Sequence, residues 1–154
     1  MNEKMNEGEI EQDVNPEFLE IWETLSRVSR KSRKKITYEF DSLGIKPVEF
    51  KVLYLLSRDG AKSMVSLATE SEVSGPWITG VVDELERKGL VNKIRSDTDR
   101  RMIRVKITDK GRAVLSKGTQ AYRKLIKLAM KDLTSDESAE FLGILRKMDR
   151  TMED

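Results

Sequence analysis

The sequence predicts a mainly α-helical fold that carries one small β-hairpin, and three observations support this prediction. Apolar residues recur at helical spacing through most of the 154 residues. One stretch, Gly89–Gly111, instead alternates apolar and polar side chains as paired strands do. Proline and glycine residues divide much of the remainder into segments of helix length. A chain of this length is expected to form one domain, with helical extensions, and to bury a proper core.

The hairpin is the most distinctive stretch of the chain. Its first strand contains Leu90, Val91 and Ile94, and in its second strand Ile103, Val105 and Ile107 alternate with Met102, Arg104 and Lys106. Between the strands, Arg95–Arg101 holds no apolar residue and must therefore project into solvent. Lys93–Arg112 contains eight basic and three acidic residues, an excess of +5 in a chain whose net charge is +2. A protruding basic hairpin that directly follows a helix is typical of a wing, which grips the nucleic-acid backbone.

An acidic tail and a long helix are predicted at the start of the chain. Residues 1–14 carry one lysine against five acidic residues and are expected to form a flexible tail. Asn15 caps the first helix, Pro16 is its first residue, and the apolar spacing continues to about Phe40. The second half of this helix, Arg27–Lys35, holds six basic residues and no acidic one. This run is either a solvated helix face or a ridge close to DNA phosphates or to a dimer partner.

Three shorter helices follow. The second helix begins at Pro47 and ends at Asp59, before Gly60, and the third spans Ser63–Glu72. The residues expected in the core from these two helices are Phe50, Val52, Leu53, Leu55, Leu56, Val65, Leu67 and Ala68. The fourth helix is capped by Ser74 or Gly75, has Pro76 in its first turn, and is followed by Gly89. Two short helices separated by a tight turn form a helix-turn-helix, and the second of them is the candidate for DNA recognition.

The fourth helix has two distinct faces. Ile78, Val81, Val82 and Leu85 share one face, which is expected to pack on the second and third helices. Three acidic residues, Asp83, Glu84 and Glu86, fall in its later turns and would repel phosphate. We therefore expect only the N-terminal half of this helix to enter a groove of DNA.

Two further helices are predicted after the hairpin. Thr108 is the expected cap of a long helix that runs to about Lys131. Thr134 and Glu137 have the spacing of a capping box and start the last helix, which spans Asp136–Met152. Both helices carry apolar residues at helical spacing, as the first helix does. Since three amphipathic helices flank a small domain, their remaining apolar stripes are expected to be buried by a twofold-symmetric partner.

The composition excludes several classes of protein. The absence of cysteine excludes disulfides, thiolate metal sites and a cysteine-based redox switch, and the absence of histidine removes the commonest metal ligand and general base. Lys and Arg number 29 against 27 Asp and Glu, so any nucleic-acid contact must come from local clustering of charge. No apolar run approaches membrane-spanning length, and the acidic start of the chain is unlike a signal peptide. We expect a cytoplasmic protein that is not an enzyme and needs no cofactor or metal.

Two segments resemble the multiple-antibiotic-resistance regulator (MarR) family of transcription factors. They are Val81–Val91, and Asp99–Gly111 with an acid–Arg–Arg turn, an alternating strand and Thr-x-x-Gly. The resemblance spans roughly Phe18–Met152 and implies a winged helix-turn-helix flanked by N- and C-terminal dimerisation helices. The predicted organisation is therefore a tail at 1–14, an N-terminal dimerisation helix at 15–43, a DNA-binding domain at 44–112, and C-terminal dimerisation helices at 113–154.

The wing tip is the strongest candidate for DNA contact. By resemblance, Asp99 positions a neighbouring arginine, and Arg100 or Arg101 inserts into the minor groove. A narrow minor groove concentrates negative potential and attracts arginine, which supports the same mechanism independently. The alternative is an ordinary polar hairpin turn. Arg95 and Arg104 either lie on the flanking DNA backbone or are solvated strand residues.

The recognition helix departs from the family pattern. Its candidate contact residues are Ser74, Pro76, Trp77, Thr79 and Gly80. Many family members carry small hydroxyl residues at the positions of Pro76 and Trp77, and often an arginine at the position of Gly80. Without arginine, bidentate reading of guanine is lost, although Thr79 can still meet a thymine methyl. Trp77 is either a packing residue at the edge of the core or an exposed aromatic at the groove. The helix thus favours backbone and shape reading over strong base-edge reading.

The resemblance also implies partners. A homodimer would present two wings and two recognition helices to a pseudo-palindrome whose half-sites lie about one helical turn apart. In the family, phenolic or other aromatic anions bind between the dimerisation helices and the DNA-binding lobe. The candidate residues for such a pocket are Trp22, Arg30, Arg33, Tyr38 and Phe40. They serve equally well as ordinary packing and surface residues.

The sequence therefore predicts a homodimeric regulator of transcription, a ligand-responsive repressor that binds double-stranded DNA. The alternative function is a winged-helix module that docks protein partners without touching DNA. The charge excess of the wing argues against this alternative.

Overall fold

The computed structural model describes residues 14–95 and 103–152. Within these ranges, six helices and three short strands follow in the order α1 (Pro16–Ser42), α2 (Pro47–Asp59), β1 (Lys62–Ser63), α3 (Met64–Ser71), α4 (Gly75–Arg87), β2 (Val91–Arg95), β3 (Ile103–Ile107), α5 (Asp109–Met130) and α6 (Ser135–Thr151). The prediction of a mainly helical fold with a small hairpin is confirmed. The tail, except for Val14, and the wing tip with Asp99, Arg100 and Arg101 lie outside the described residues.

Side-chain caps define where most of the helices begin. The Asn15 carboxamide accepts a hydrogen bond from the Glu17 backbone N–H at 2.9 Å, and the Thr108 hydroxyl accepts one from the Gly111 N–H at 3.0 Å. Ser74 rather than Gly75 caps α4, because its hydroxyl accepts the Trp77 backbone N–H. The capping box at the start of α6 forms as predicted. These local bonds satisfy backbone donors that a helix leaves free, which is why its boundaries can be read from sequence.

The sheet contains one strand that the sequence analysis missed. The strand order is β1-β3-β2, and both pairings are antiparallel. Lys62 lies opposite Val105, and Val91 lies opposite Ile107. β1 is only two residues long and shows no alternation, so nothing local marks it as a strand. By pairing with β3, it connects the start of the helix-turn-helix to the wing.

The core lies between the sheet and helices α2, α3 and α4. The most deeply buried side chains come from these elements, the end of α1 and the start of the hairpin, and they include Phe40, Leu53, Leu56, Leu67, Ile78 and Leu85. Val65 was expected in this core and is instead 77% exposed. The helix α3 spans only about two turns and turns Leu67 and Ser71 inward, which leaves Val65 on the opposite side. Ile103 is also half exposed, because it lies at the far end of the hairpin from the core.

The long helices α1, α5 and α6 leave much apolar surface uncovered. In α1 only Ile36 and Phe40 are buried, and α6 buries none of its residues. The exposed apolar side chains of these helices include Phe18, Ile21, Trp22, Val28, Ile126, Leu128, Phe141, Leu142 and Ile144. None of the helices within the described ranges combines the length and the hydropathy that crossing a bilayer requires.

Candidate nucleic-acid interface

The helix-turn-helix is formed by α3 and α4 and a three-residue turn. The chain leaves α3 through Glu72, whose φ of 58° and ψ of 43° are left-handed. The Val73 backbone N–H donates to the Ala68 carbonyl at 3.1 Å and closes the end of α3. Ser74 then caps α4, so the direction of the chain changes within three residues. This geometry fixes the N-terminal end of α4 at the surface.

One face of α4 is buried and the other is exposed, as predicted. Ile78, Val81, Val82 and Leu85 are buried, whereas the candidate contact residues Ser74, Pro76, Trp77, Thr79 and Gly80 are all exposed. Trp77 is 58% exposed, which argues against a packing residue at the edge of the core, since such a residue would be covered. The N-terminal half of α4 thus offers a continuous exposed surface to a partner.

The acidic residues of α4 are engaged by cations, which the sequence analysis did not foresee. The Lys93 ammonium of β2 pairs with the Asp83 carboxylate and lies 3.4 Å from Glu86 Oε2. Hydrogen bonding to Asp83, assisted by Glu86, raises the pKa of Lys93. These pairs tie the wing to the recognition helix and partly neutralise two of the acids expected to repel phosphate. Lys93 is one of the eight basic residues counted for the wing, and its charge is therefore paired with acidic residues of α4.

Glu84 is held within its own helix. The Arg87 guanidinium donates to Glu84 Oε2 at 2.8 Å, and Lys88 Nζ lies 3.6 Å from Glu84 Oε1. Hydrogen bonding to Arg87 lowers the pKa of the Glu84 carboxyl to about 2. The charged side chains in the last turn of α4 therefore pair with one another. The surface of this helix that carries no ion pair lies in its N-terminal half.

The two arginines that flank the wing tip, Arg95 and Arg104, have different surroundings. Arg104 of β3 donates a hydrogen bond from its guanidinium to the Ala61 backbone carbonyl, just before β1. It therefore ties the hairpin to the loop that precedes the helix-turn-helix, a role that neither sequence-based interpretation included. Arg95 lies opposite Ile103 at the far end of β2, and its side chain is exposed.

A buried ion pair anchors the other end of α4. The Lys88 ammonium lies 2.8 Å from both carboxylate oxygens of Glu49, a residue of α2 that is only 1% exposed. One of these oxygens also accepts the Lys46 backbone N–H at 2.8 Å, directly before α2 begins. Sequence reasoning missed this pair, because its members lie 39 residues apart and each looks like a surface residue. The only local signal is the position of Glu49 in the first turn of α2.

The five candidate pocket residues do not meet at one site. Arg33 and Phe40 line a cleft of about 730 Å³ between α1, α2 and α5. The other lining residues include Phe50, Tyr54, Tyr122, Arg123 and Lys51. Arg30 and Tyr38 lie with Arg33 along a shallower surface of α1, and Trp22 lies against α6. The helix α1 turns these side chains in different directions over its 27 residues.

The fold and this surface define a winged helix-turn-helix protein. Its parts are an N-capped recognition helix, the preceding short helix, and a hairpin that an ion pair ties to α4 and a hydrogen bond ties to the loop at Ala61. Within the described residues, no group of three or more acidic side chains is arranged to hold a metal ion.

Comparisons with known proteins agree with this class. The MarR family model matches residues 45–103. YpoP of Bacillus subtilis, an uncharacterized HTH-type transcriptional regulator, is 33% identical over 124 residues, which cover 79% of this chain and 88% of YpoP. YetL of the same organism, an HTH-type transcriptional repressor, is 28% identical over 135 residues, which cover 86% of this chain and 81% of YetL.

A solved structure shows the same architecture on DNA. A crystal structure of mutant MarR from E. coli complexed with operator DNA matches with a TM-score of 0.73 and 26% identity, over 88% of this chain and 98% of that one. The chain belongs to the MarR family. It is a DNA-binding regulator of transcription with the winged helix-turn-helix fold.

Proposed function

We propose that this regulator acts as a homodimeric repressor on a pseudo-palindromic operator in the cytoplasm, without enzymatic activity. The observation that carries the proposal is the exposed N-terminal half of α4, together with the wing strands that an ion pair and a hydrogen bond tie to the helix-turn-helix lobe. The relative YetL is a repressor, which supports repression rather than activation. No observation favours the protein-docking alternative.

The dimer is proposed from the uncovered apolar stripes of α1, α5 and α6. A helix such as α6, none of whose side chains is fully buried within its own chain, needs another surface to cover its apolar face. A second copy offers a surface of the same kind, as a twofold-symmetric interface requires. In this proposal residues 15–43 and 113–154 dimerise, residues 44–112 bind DNA, and residues 1–14 form a tail.

The proposed DNA contacts fall in two sets. Ser74, Pro76, Trp77, Thr79 and Gly80 of α4 face the major groove, and the wing reaches the minor groove with Arg100 or Arg101, positioned by Asp99. Arg95, whose side chain is exposed, is proposed to contact the DNA backbone. We assign Arg104 mainly to holding the wing, because its guanidinium is bonded to Ala61.

The effector is proposed to be an aromatic anion in the cleft between α1, α2 and α5. This cleft combines aromatic rings with three cations, Arg33, Lys51 and Arg123. Such a lining suits a ring that carries a carboxylate. Since the cleft joins the proposed dimerisation helices to α2 of the DNA-binding domain, a ligand there would change the spacing between the two lobes. Of the five pocket residues predicted from the sequence, the proposed pocket includes Arg33 and Phe40. It does not include Trp22, Arg30 or Tyr38.

Binding to DNA from upstream of the protein's own gene tests the proposal. We expect binding that weakens steeply between 50 and 200 mM salt, because phosphate contacts release counterions. Arg100→Ala and Arg101→Ala should weaken binding, whereas Lys4→Ala, which removes a cation from the proposed tail, should not. Salicylate, used as a representative aromatic anion, should release the DNA. The wing assignment is wrong if neither wing variant changes the affinity, and the effector assignment is wrong if no aromatic anion releases the DNA.

A further inference from the structure

The exposed half of the recognition helix lacks the side chains that usually read base edges. No Arg, Lys, Asn or Gln occurs between Ser74 and Glu86. Bidentate contacts to guanine or adenine require these side chains. The first cation of the helix, Arg87, is in its last turn and bonds to Glu84. Bidentate hydrogen-bonded reading of purines by α4 is therefore not available in this chain.

The hydroxyl group of Thr79 is already used within the helix. It donates to the Gly75 backbone carbonyl at 3.0 Å, one turn earlier. This bond occupies the only hydrogen that the hydroxyl can donate and fixes the side-chain rotamer. Since Thr79 is exposed, its methyl group is the apolar feature left for a partner.

The glycine at position 80 has no explanation within the folded chain. A Cβ atom added at Gly80 would meet nothing within 4 Å, and its φ is not positive. Alanine would fit there and would favour the helix, so packing does not require glycine. A glycine on an exposed helix face lets another molecule approach the backbone closely. Its neighbours on this surface, Pro76, Trp77 and Thr79, are exposed as well.

We propose that α4 recognises thymine through its C5-methyl group, with the Thr79 methyl as the specificity contact and Gly80 as the point of closest approach. In the major groove the thymine methyl is the only apolar group that the four bases present, and it matches the Thr79 methyl. Trp77 and Pro76 flank this contact and exclude water from it. The preferred half-site therefore contains thymine under α4, and specificity comes from burying methyl groups. This inference rests on the proposed function, since it requires α4 to face the major groove.

Replacing thymine by deoxyuridine tests the inference directly, because the exchange removes only the methyl group. The binding site is first selected from random duplexes, and each thymine of a half-site is then exchanged in turn. We expect one or two exchanges per half-site to weaken binding about fourfold each, the effect of losing one buried methyl. Exchanges outside the half-sites are the control and should have no effect. Unchanged affinity with every thymine exchanged would overturn the inference.

Variants at Thr79 identify the group that makes the contact. Thr79→Ser keeps the hydroxyl and removes the methyl, so it should bind the thymine site about fourfold more weakly and lose sensitivity to one deoxyuridine exchange. Thr79→Val keeps a methyl and removes the hydroxyl, so it should keep the sensitivity to that deoxyuridine exchange. The reverse pattern, with Val weakened and Ser unaffected, would show that the hydroxyl reads the base and would overturn the inference.

The variant Gly80→Ala separates contact with DNA from stability of the fold. It should raise the melting temperature and weaken binding to the selected site, because the added methyl has space in the free protein but not against a base. Equal or tighter binding would overturn the close approach at Gly80. If the selection enriches no DNA at all, the proposed function fails at that earlier step and the inference fails with it.

Discussion

The Lys88 ammonium at the end of the recognition helix lies 2.8 Å from both carboxylate oxygens of Glu49, which is buried in the second helix. The pair joins the C-terminal end of α4 to the first turn of α2. Glu49 also accepts the Lys46 backbone N–H, at the point where the chain has just left α1. The end of α4 is therefore connected through Glu49 to the junction between α1 and α2.

Removing one partner of this pair should destabilise the protein strongly. Lys88→Met leaves the Glu49 carboxylate buried without its cation, and we expect the free energy of unfolding to fall by about 3 kcal/mol. The double variant Glu49→Gln/Lys88→Met should recover part of this loss, because it no longer buries an unpaired charge. Urea unfolding at a fixed protein concentration measures these values.

The matched control for the buried pair is Arg87→Met, which removes the neighbouring exposed cation. It should change the free energy of unfolding far less than Lys88→Met does, since exposed ion pairs contribute little. Additive effects of Glu49→Gln and Lys88→Met would contradict a direct interaction between the two side chains.

Replacing Gly111 at the start of α5 should also destabilise the fold. A Cβ atom at Gly111 would lie 2.1 Å from the Leu90 carbonyl oxygen, so the backbones of α5 and the hairpin would have to separate. We expect Gly111→Ala to lower the free energy of unfolding by about 2 kcal/mol or more. Gly80→Ala is the control, since nothing within 4 Å opposes it, and it should raise stability by up to about 1 kcal/mol. Similar effects of the two alanines would contradict the close packing at Gly111.

Stability should fall in acid as carboxylates that are paired in the folded state become protonated. Hydrogen bonding to Arg87 lowers the pKa of Glu84 from 4.5 to about 2, and hydrogen bonding to Arg58 lowers the pKa of Asp59. Because both pKa values are lower in the folded chain than in the unfolded chain, the stabilisation is complete above about pH 5. It is lost as the pH falls from about 4.5 towards 2.

Melting temperatures between pH 6 and pH 2 measure this effect. We expect Glu84→Gln to reduce the decrease in this range, and added salt to reduce it as well, since both side chains are partly exposed to solvent. A decrease of the same size in the variant would show that Glu84 does not contribute.

Local signals in the sequence were sufficient to predict most of the fold. The caps at Ser74, Thr108 and Thr134 and the glycine after α4 mark boundaries that depend on neighbouring residues alone. The apolar face of α4 likewise follows from its periodicity. These features could be predicted because each is decided within one or two turns of chain.

The features that could not be predicted depend on residues far apart in sequence. β1 is a strand only because Lys62 meets Val105, and Lys93 is engaged because the hairpin folds back onto Asp83. Arg104 likewise holds the loop at Ala61, 43 residues earlier. Within α4, the hydrogen bond from the Thr79 hydroxyl to the Gly75 carbonyl depends on a rotamer choice that periodicity does not reveal.

The central claim is that α4 and the wing of each protomer bind one half-site. Hydroxyl-radical footprinting on the binding site selected from random duplexes tests this claim most directly. We expect two protected regions about one helical turn apart, one for each protomer. Arg100→Ala/Arg101→Ala should lose the minor-groove part of both regions and keep the major-groove part. A single protected region, or a footprint that the wing variant leaves unchanged, would contradict the account.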